Sequence, residues 1–228
     1  VKGVVKEITL EQLKKDGFIK SVEKNTAKCV VFGEVINNKR CDHNTVTRTG
    51  NILDIDGAKE DIFDELVDYF SKLKLKVLIH TTHSHDPDNN IFKYRVLILL
   101  NLPLPAADYH GLYDYFISSH PKLKKWNDKE WLDKHGRVTS QTFHLPCCHP
   151  DRESTARMHL TDGEPYQISQ YEDYVLKEEK VKPKKNGLNG HAKDVKQYNN
   201  DVITISPNKA IPDTKENRGF LDDILKAI

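Results

Sequence analysis

Apolar positions recur along the chain at two spacings, and their alternation outlines the fold. Across 58–73, Ile62, Phe63, Leu66, Val67, Phe70 and Leu73 return every three or four residues, which predicts an amphipathic helix with one stripe turned to a sheet. Ahead of it, Asn51-Ile-Leu-Asp-Ile-Asp-Gly57 predicts a short strand that breaks at the glycine, and behind it Lys76-Val-Leu-Ile-His-Thr-Thr82 predicts another. The run 91–100 becomes apolar throughout, the pattern of a buried central strand. Thr9-Leu-Glu-Gln12 has the capping-box pattern of a short helix that Gly17 closes. The run 29–36 is β-rich, whereas the polar stretches 37–50 and 84–90 read as loops. Pro105 stands where a helix can begin, with Tyr109, Leu112, Tyr113 and Phe116 at helical spacing. A further helix carries Trp126 and Trp131 and stops near Gly136, and Thr142-Phe-His-Leu145 reads as a strand stopped by Pro146.

Strands and helices alternate without long blocks of either. The expected class is therefore α+β, a mixed or antiparallel sheet flanked by helices. From Leu176 the character changes to lysine-rich and aromatic-free sequence with Pro183, Gly187 and Gly190, which is linker chemistry. The expected organisation is a catalytic domain over 1–175, a linker over 176–199 and a tail over 200–228, where Phe220, Leu221, Ile224 and Leu225 share one side of a helical pattern. The chain opens at Val1 without a methionine and stops at Ile228 just after that pattern, so a longer polypeptide with a downstream domain is expected.

Composition narrows the function classes. A chain of 228 residues buries roughly 70% of its unfolded surface and needs no disulfide or structural metal to fold. With 35 Lys and Arg against 34 Asp and Glu, the net charge of +1 advertises no uniform field for nucleic acid, though a local basic groove remains compatible with it. No run approaches the ~18 apolar residues of a membrane span, so a membrane protein is not expected. Cys29, Cys41, Cys147 and Cys148 lack the spacing of a secreted scaffold, which favours a reducing cytoplasmic setting over secretion.

Two clusters carry candidate chemistry. Asp54 and Asp56, at i and i+2 among Ile52, Leu53 and Ile55, point to one face of a strand. They suit either a pair of hard divalent cations, as in two-metal phosphoryl and nucleotidyl transfer, or a solvated strand end beside Gly57. The second cluster holds His80, Thr81, His83 and His85, followed by Lys93 and Arg95 on one face of the next strand. It suits a triphosphate, a metal, or a solvated loop.

Taken in order, these segments resemble the archaeo-eukaryotic primase superfamily, and most closely the primase-polymerase domains of plasmid and phage replication proteins. In that family a hydrophobic-Asp-hydrophobic-Asp strand and a helix precede a strand ending in a Ser-Thr-His-Ser-His-like motif. A Pro-Arg-Tyr-Arg-Val strand follows, and then an Asp about eight residues ahead of an Arg. Here the matching segments are Leu53-Asp-Ile-Asp-Gly57, His80-Thr-Thr-His-Ser-His85, Phe92-Lys-Tyr-Arg-Val-Leu-Ile-Leu-Leu-Asn-Leu-Pro103, and Asp133 eight residues before Gln141, which leads into Thr142-Phe-His-Leu-Pro146. The resemblance spans roughly 45–150. Lys93 replaces the family's first arginine, and Gln141 replaces its later one and removes a charge.

The resemblance implies a primase-like catalytic core with an RRM-like sheet, and a template-dependent primase or polymerase of a plasmid, phage or other mobile element. Asp54, Asp56 and Asp133 would hold two Mg²⁺ or Mn²⁺ ions. His83 would contact the incoming triphosphate, with Thr81, His85, Lys93 and Arg95 as the other nucleotide-binding residues. Implied partners are a single-stranded DNA template, an NTP or dNTP, and a fused or separate helicase. Zinc is not expected: Cys41-Asp-His43 and Cys147-Cys-His149 lie about a hundred residues apart without knuckle spacing. Trp126 and Trp131 beside Lys122, Lys124 and Lys125 suit either template stacking or the core.

Three rivals stand against that reading. An HUH-type replication endonuclease would use His83 and His85 on one metal and Tyr109, Tyr113 or Tyr115 as nucleophile, yet Ser84 stands where that motif favours a large apolar residue. A haloacid-dehalogenase-type phosphatase would want Thr or Val where Ala58 stands. A primase-like fold kept only for binding DNA would leave the carboxylates without chemistry.

Overall fold

Period-two alternation over 52–56, 77–81 and 93–98 sorts side chains onto the two faces of one antiparallel sheet, and everything else packs on one face or the other. The computed structural model describes residues 8–24, 29–36 and 41–181. In chain order the elements are α1 (Leu10–Asp16), β1 (Ile19–Lys20), β2 (Cys29–Val30), β3 (Thr47–Ala58), α2 (Phe63–Lys72), β4 (Val77–Thr81), β5 (Phe92–Pro105), α3 (Tyr109–Ser119), α4 (Pro121–Asp128), β6 (Phe143–His144), β7 (Cys147–Cys148), β8 (Met158–Leu160) and α5 (Ser169–Val181). The main sheet has the order β3-β5-β4-β8 with every pairing antiparallel. Two small ladders, β1 with β7 and β2 with β6, lie apart from it.

One face of the sheet carries the larger core. Leu53, Ile55, Val77, Ile79, Tyr94, Val96 and Ile98 join Phe63, Leu66 and Phe70 of α2, Leu112 and Phe116 of α3, Leu123 and Trp126 of α4, and Tyr171 of α5. The opposite face is shared. At one end Ile52, Leu78 and Leu97 pack with Leu10 and Leu13 of α1 and with Phe32, Phe143 and Leu145. The other end holds polar side chains. This division places the polar end under loops and short strands and keeps the long helices behind the sheet.

The α+β class with helices flanking an antiparallel sheet is what the sequence pattern predicts. Thr9 caps α1 through its hydroxyl, which accepts from the Gln12 N–H, and Gly17 closes the helix. Strand lengths differ more. The strand expected over 51–57 starts at Thr47 and runs twelve residues, because its polar first half pairs with the continuation of β5 to Pro105. Pro105 therefore ends a strand, and the helix expected there starts at Tyr109. Trp131 lies beyond α4 in an extended segment. β8 and α5 carry too little alternation to be seen in sequence and are recognised only by where they pack. α5 runs to Val181, past the expected linker start at 176; the rest of the linker and the apolar pattern at 217–228 lie outside the described residues.

Near its end β3 bulges. Ile55 faces Tyr94 and Ala58 faces Phe92, so Asp56 and Gly57 together occupy one position of the ladder. Both of their N–H groups donate to the Trp131 carbonyl, at 3.0 and 3.2 Å. A Cβ on Gly57 would stand 2.5 Å from the Glu130 carbonyl oxygen. Gly57→Ala is therefore expected to lower stability by about 1–3 kcal/mol and to lift 131–133 from β3. Urea unfolding and hydrogen exchange at the Asp133 N–H check this; unchanged stability with Asp133 still protected would refute it.

Candidate active site

Strand register assembles the site as one row across the sheet. Asp54 of β3 faces Arg95 of β5, Arg95 faces His80 of β4, and His80 faces Met158 of β8. Directly opposed residues share a face, here the one turned away from α2 to α5. The row continues past the sheet edge. Ile55 bridges Leu132, and the Asp133 N–H donates to the Asp54 carbonyl at 2.8 Å. In this antiparallel register Asp133 lies opposite Asp54, on the same face. Tyr113 and Tyr109 of α3 reach the carbonyls of Asp133 and Gly136 at 3.5 and 2.9 Å, and the wholly buried Arg48 donates to the Thr139 carbonyl at 2.8 Å. These contacts clamp the 133–139 segment against β3.

The electrostatics follow from burial. Arg95 Nη2 donates to Asp54 Oδ2 at 2.6 Å, and its Nη1 reaches the His144 carbonyl at 3.2 Å. Burial pushes the Asp54 carboxyl above the usual range; Arg95 partly opposes this, and the charges of Asp56 and Asp133 add to it. His80 Nδ1 lies 2.8 Å from the Thr81 carbonyl, which can only accept, so that nitrogen carries the proton. Burial first, and the Arg95 charge second, push its imidazole down to about 3, which keeps it neutral. Asp54 Oδ1, Arg95 Nε and His80 Nε2 are buried without a hydrogen-bond partner.

The expected site residues divide into groups. Asp54, Asp56, Asp133, Lys93 and Arg95 come together: Lys93 Nζ lies 3.4 Å from Asp56 Oδ1, and Arg95 holds Asp54. Asp133 accepts from the His135 N–H at 2.9 Å and meets its Nδ1 at 2.7 Å. His83 lies just past β4, its Nε2 2.9 Å from the Ser21 carbonyl and its ring against His149. There Thr81, Thr82, His83, His85, His149 and Arg152 help line a narrow depression. Thr81 and His85, expected with the nucleotide-binding set, thus lie together with His83. Pleating turns Thr81 away from His80, and its hydroxyl accepts from the Arg157 N–H. The His85 ring packs on Tyr94 and accepts from the Lys93 N–H.

Other expectations are corrected. Trp126 and Trp131 are both buried in the main core, so neither ring offers a stacking surface for a template. The paired-histidine reading finds one nitrogen of each imidazole already engaged, His83 Nε2 by the Ser21 carbonyl and His85 Nδ1 by the Lys93 N–H. It also loses two of its nucleophiles: Tyr109 is buried, with its hydroxyl engaged by Gly136 and Asn51, and Tyr113 is buried against it. Gln141 brings no charge to the row; its N–H donates to the Val138 carbonyl. His80 stood among the expected imidazoles without a role. Its signal was its place on β4, two residues past Leu78 on the same face.

The donor chemistry suits a hard cation: Asp54, Asp56 and Asp133 are carboxylates near enough to influence one another's charge, and one buried oxygen, Asp54 Oδ1, has no donor. Asp54 Oδ2 is committed to Arg95 and Asp133 Oδ1 to His135. Among the described residues, no group of three or more His, Cys, Asp or Glu side chains is drawn together to hold a metal.

No family model matches the chain, and no match appears among curated proteins. Among solved structures, the chain is similar to the AEP domain of the primase-polymerase of cyanophage S-2L, with a TM-score of 0.44 and 14% identity over 73% of this chain and 76% of that one. Among the described residues, no helix is long and apolar enough to cross a membrane.

His80 gives a pH signature. Its folded value is depressed from the ordinary 6.5 to about 3, so between those values the unfolded chain takes up a proton that the folded protein refuses. Stability is full above pH 6.5 and falls as the pH drops toward 3, by up to about 5 kcal/mol from this group. Urea unfolding at pH 7, 5 and 4 should show a shallower decline in His80→Gln. Equal declines would mean that His80 is not buried neutral.

Proposed function

We propose that the chain is a template-dependent nucleotidyltransferase of the primase-polymerase kind, acting on single-stranded DNA with NTP or dNTP in the replication of a plasmid, phage or other mobile element. The observation that carries this reading is the row Asp133, Asp54 and Arg95, with Asp56 and Lys93 one step along the strands, on the sheet face that the long helices leave uncovered. The order of sequence motifs that resembles the primase superfamily supports it independently, since three motifs far apart in the chain meet at this row.

In the proposed mechanism Asp54 and Asp56 would hold Mg²⁺ or Mn²⁺, and Asp133, whose N–H bonds the Asp54 carbonyl, would complete the carboxylate set. When bound, the cations would lower the pKa of the attacking 3′-hydroxyl and offset charge on the triphosphate and the departing pyrophosphate. The chain's own residues supply position. Lys93 and Arg95 present cationic groups beside the carboxylates, where phosphate oxygens would be drawn. His83, its Nε2 tied to the Ser21 carbonyl, offers the edge of a fixed imidazole together with Arg152 at the depression beyond β4. Neutral His80 backs Arg95 without adding a repelling charge.

The test is incubation with single-stranded DNA, Mg²⁺ or Mn²⁺ and labelled nucleotides, with extended product as the readout. Asp54→Ala with Asp56→Ala should reduce incorporation roughly 100-fold or more while the far-ultraviolet circular dichroism is retained. DNA binding without incorporation by the unmutated chain would favour the binding-only alternative. A second expectation concerns His83→Ala, which should raise the nucleotide KM while metal affinity changes little. Lost metal affinity with unchanged nucleotide KM would return His83 to a metal-ligand role.

A further inference from the structure

The three unpartnered atoms of the row, Asp54 Oδ1, Arg95 Nε and His80 Nε2, are an acceptor, a donor and an acceptor, carried by side chains that are consecutive neighbours across β3, β5 and β4. Buried polar atoms are normally satisfied, so three open positions in one row leave room for partners that the sheet itself does not supply. Arg95 stands between its two neighbours, with its Nη1 on the His144 carbonyl. Its guanidinium now holds one oxygen of Asp54, with side-chain exposures of only 7% and 15%. It thus supplies positive charge where Asp54, Asp56 and Asp133 gather. On its other side stands His80, whose Nε2 lone pair is a buried acceptor without a donor.

Resting on the proposed function, we infer that Arg95 is the resident counter-ion of Asp54 and exchanges with a divalent cation. In the loaded state Asp54 would hold the cation, with the oxygen now on Arg95 released. The guanidinium then turns along the row to donate to His80 Nε2 and to the phosphate oxygens of the nucleotide. The physical reason is charge. A carboxylate group this buried needs one cation beside it, and a second cation arriving beside Arg95 would be repelled unless Arg95 leaves or an anion joins. A nucleoside triphosphate supplies that anion, so metal and nucleotide bind cooperatively, each strengthening the other by the same factor.

Mn²⁺ binding to the whole chain, followed by the electron paramagnetic resonance of the free ion, tests the exchange without relying on turnover. Arg95→Gln should bind Mn²⁺ about tenfold tighter than the unmutated chain when no nucleotide is present, and the gain in Mn²⁺ affinity on adding dNTP should largely vanish. Asp54→Asn should lose this binding in both backgrounds. If Arg95→Gln binds Mn²⁺ no tighter while Asp54→Asn abolishes binding, the exchange is wrong and the carboxylate site stands. If neither protein shows Mn²⁺ binding that depends on Asp54, both the exchange and the proposed function fall. The unmutated chain provides a check free of folding defects: Mg²⁺ should shift the Arg95 Nε–H resonance saturably, and no shift in a chain that binds Mg²⁺ would overturn the exchange.

Discussion

A carboxylate buried in the middle of an apolar strand is the constraint on which the rest of this structure depends. Asp54 lies between Leu53 and Ile55, both fully buried, and its charge must be met from within the sheet. Antiparallel pairing meets it by register, since Arg95 stands opposite and forms a 2.6 Å ion pair. That pairing in turn fixes what may stand behind Arg95. An acidic residue at position 80 would compete for the guanidinium and a cationic one would repel it, whereas an imidazole held neutral by burial does neither.

The second consequence is the treatment of the free edge of β3. An edge strand beside buried charge needs a cover, and the 131–133 segment provides it with three backbone hydrogen bonds, two of them at the Asp56 and Gly57 bulge. The cover is held from behind. Tyr109, Tyr113 and Arg48 reach carbonyls of residues 133–139, and Arg48 also lies 4.3 Å from the Tyr109 ring centroid. The buried Arg48 spends its two Nη groups on the Thr139 and Gly50 carbonyls and the Tyr109 hydroxyl, so it holds the cover without engaging an acid of the row. Packing of α3 thus sets the place of Asp133, though no α3 residue belongs to the row.

The division of the sheet's two faces gives the site its access. Residues 53, 55, 94, 96 and 98 bind the long helices, while 52, 78 and 97 hold α1 and the short β2 and β6 ladder on the other side. The smaller cluster covers only part of that face. The polar row begins where it ends, beside Phe143 and the His144 carbonyl, so apolar packing supports Arg95 from one flank and leaves Asp56 and Asp133 partly exposed on the other.

Much of this was legible in the sequence because it depends on short-range periodicity. Two aspartates at i and i+2 must share a face of a strand, as must Lys93 and Arg95, and the apolar neighbours of each pair mark the opposite face as core. The α2 stripe and the α1 cap are equally local, since each is set by spacing of a few residues. What tertiary structure alone decided is register and occupancy. Nothing in the spacing of Asp54, Arg95 and His80 states that they oppose one another, because a slip of one residue would turn each to the other face. Thr81 and His85 line one depression with His83, yet only the fold commits the Thr81 hydroxyl to the Arg157 N–H and the His85 ring to the Lys93 N–H. Trp126 and Trp131 looked equally fit for stacking or for the core, and only packing against Tyr69 and the sheet buried them. Local patterns determine which way a side chain points; long-range pairing determines what it meets there, and the site is made of such meetings.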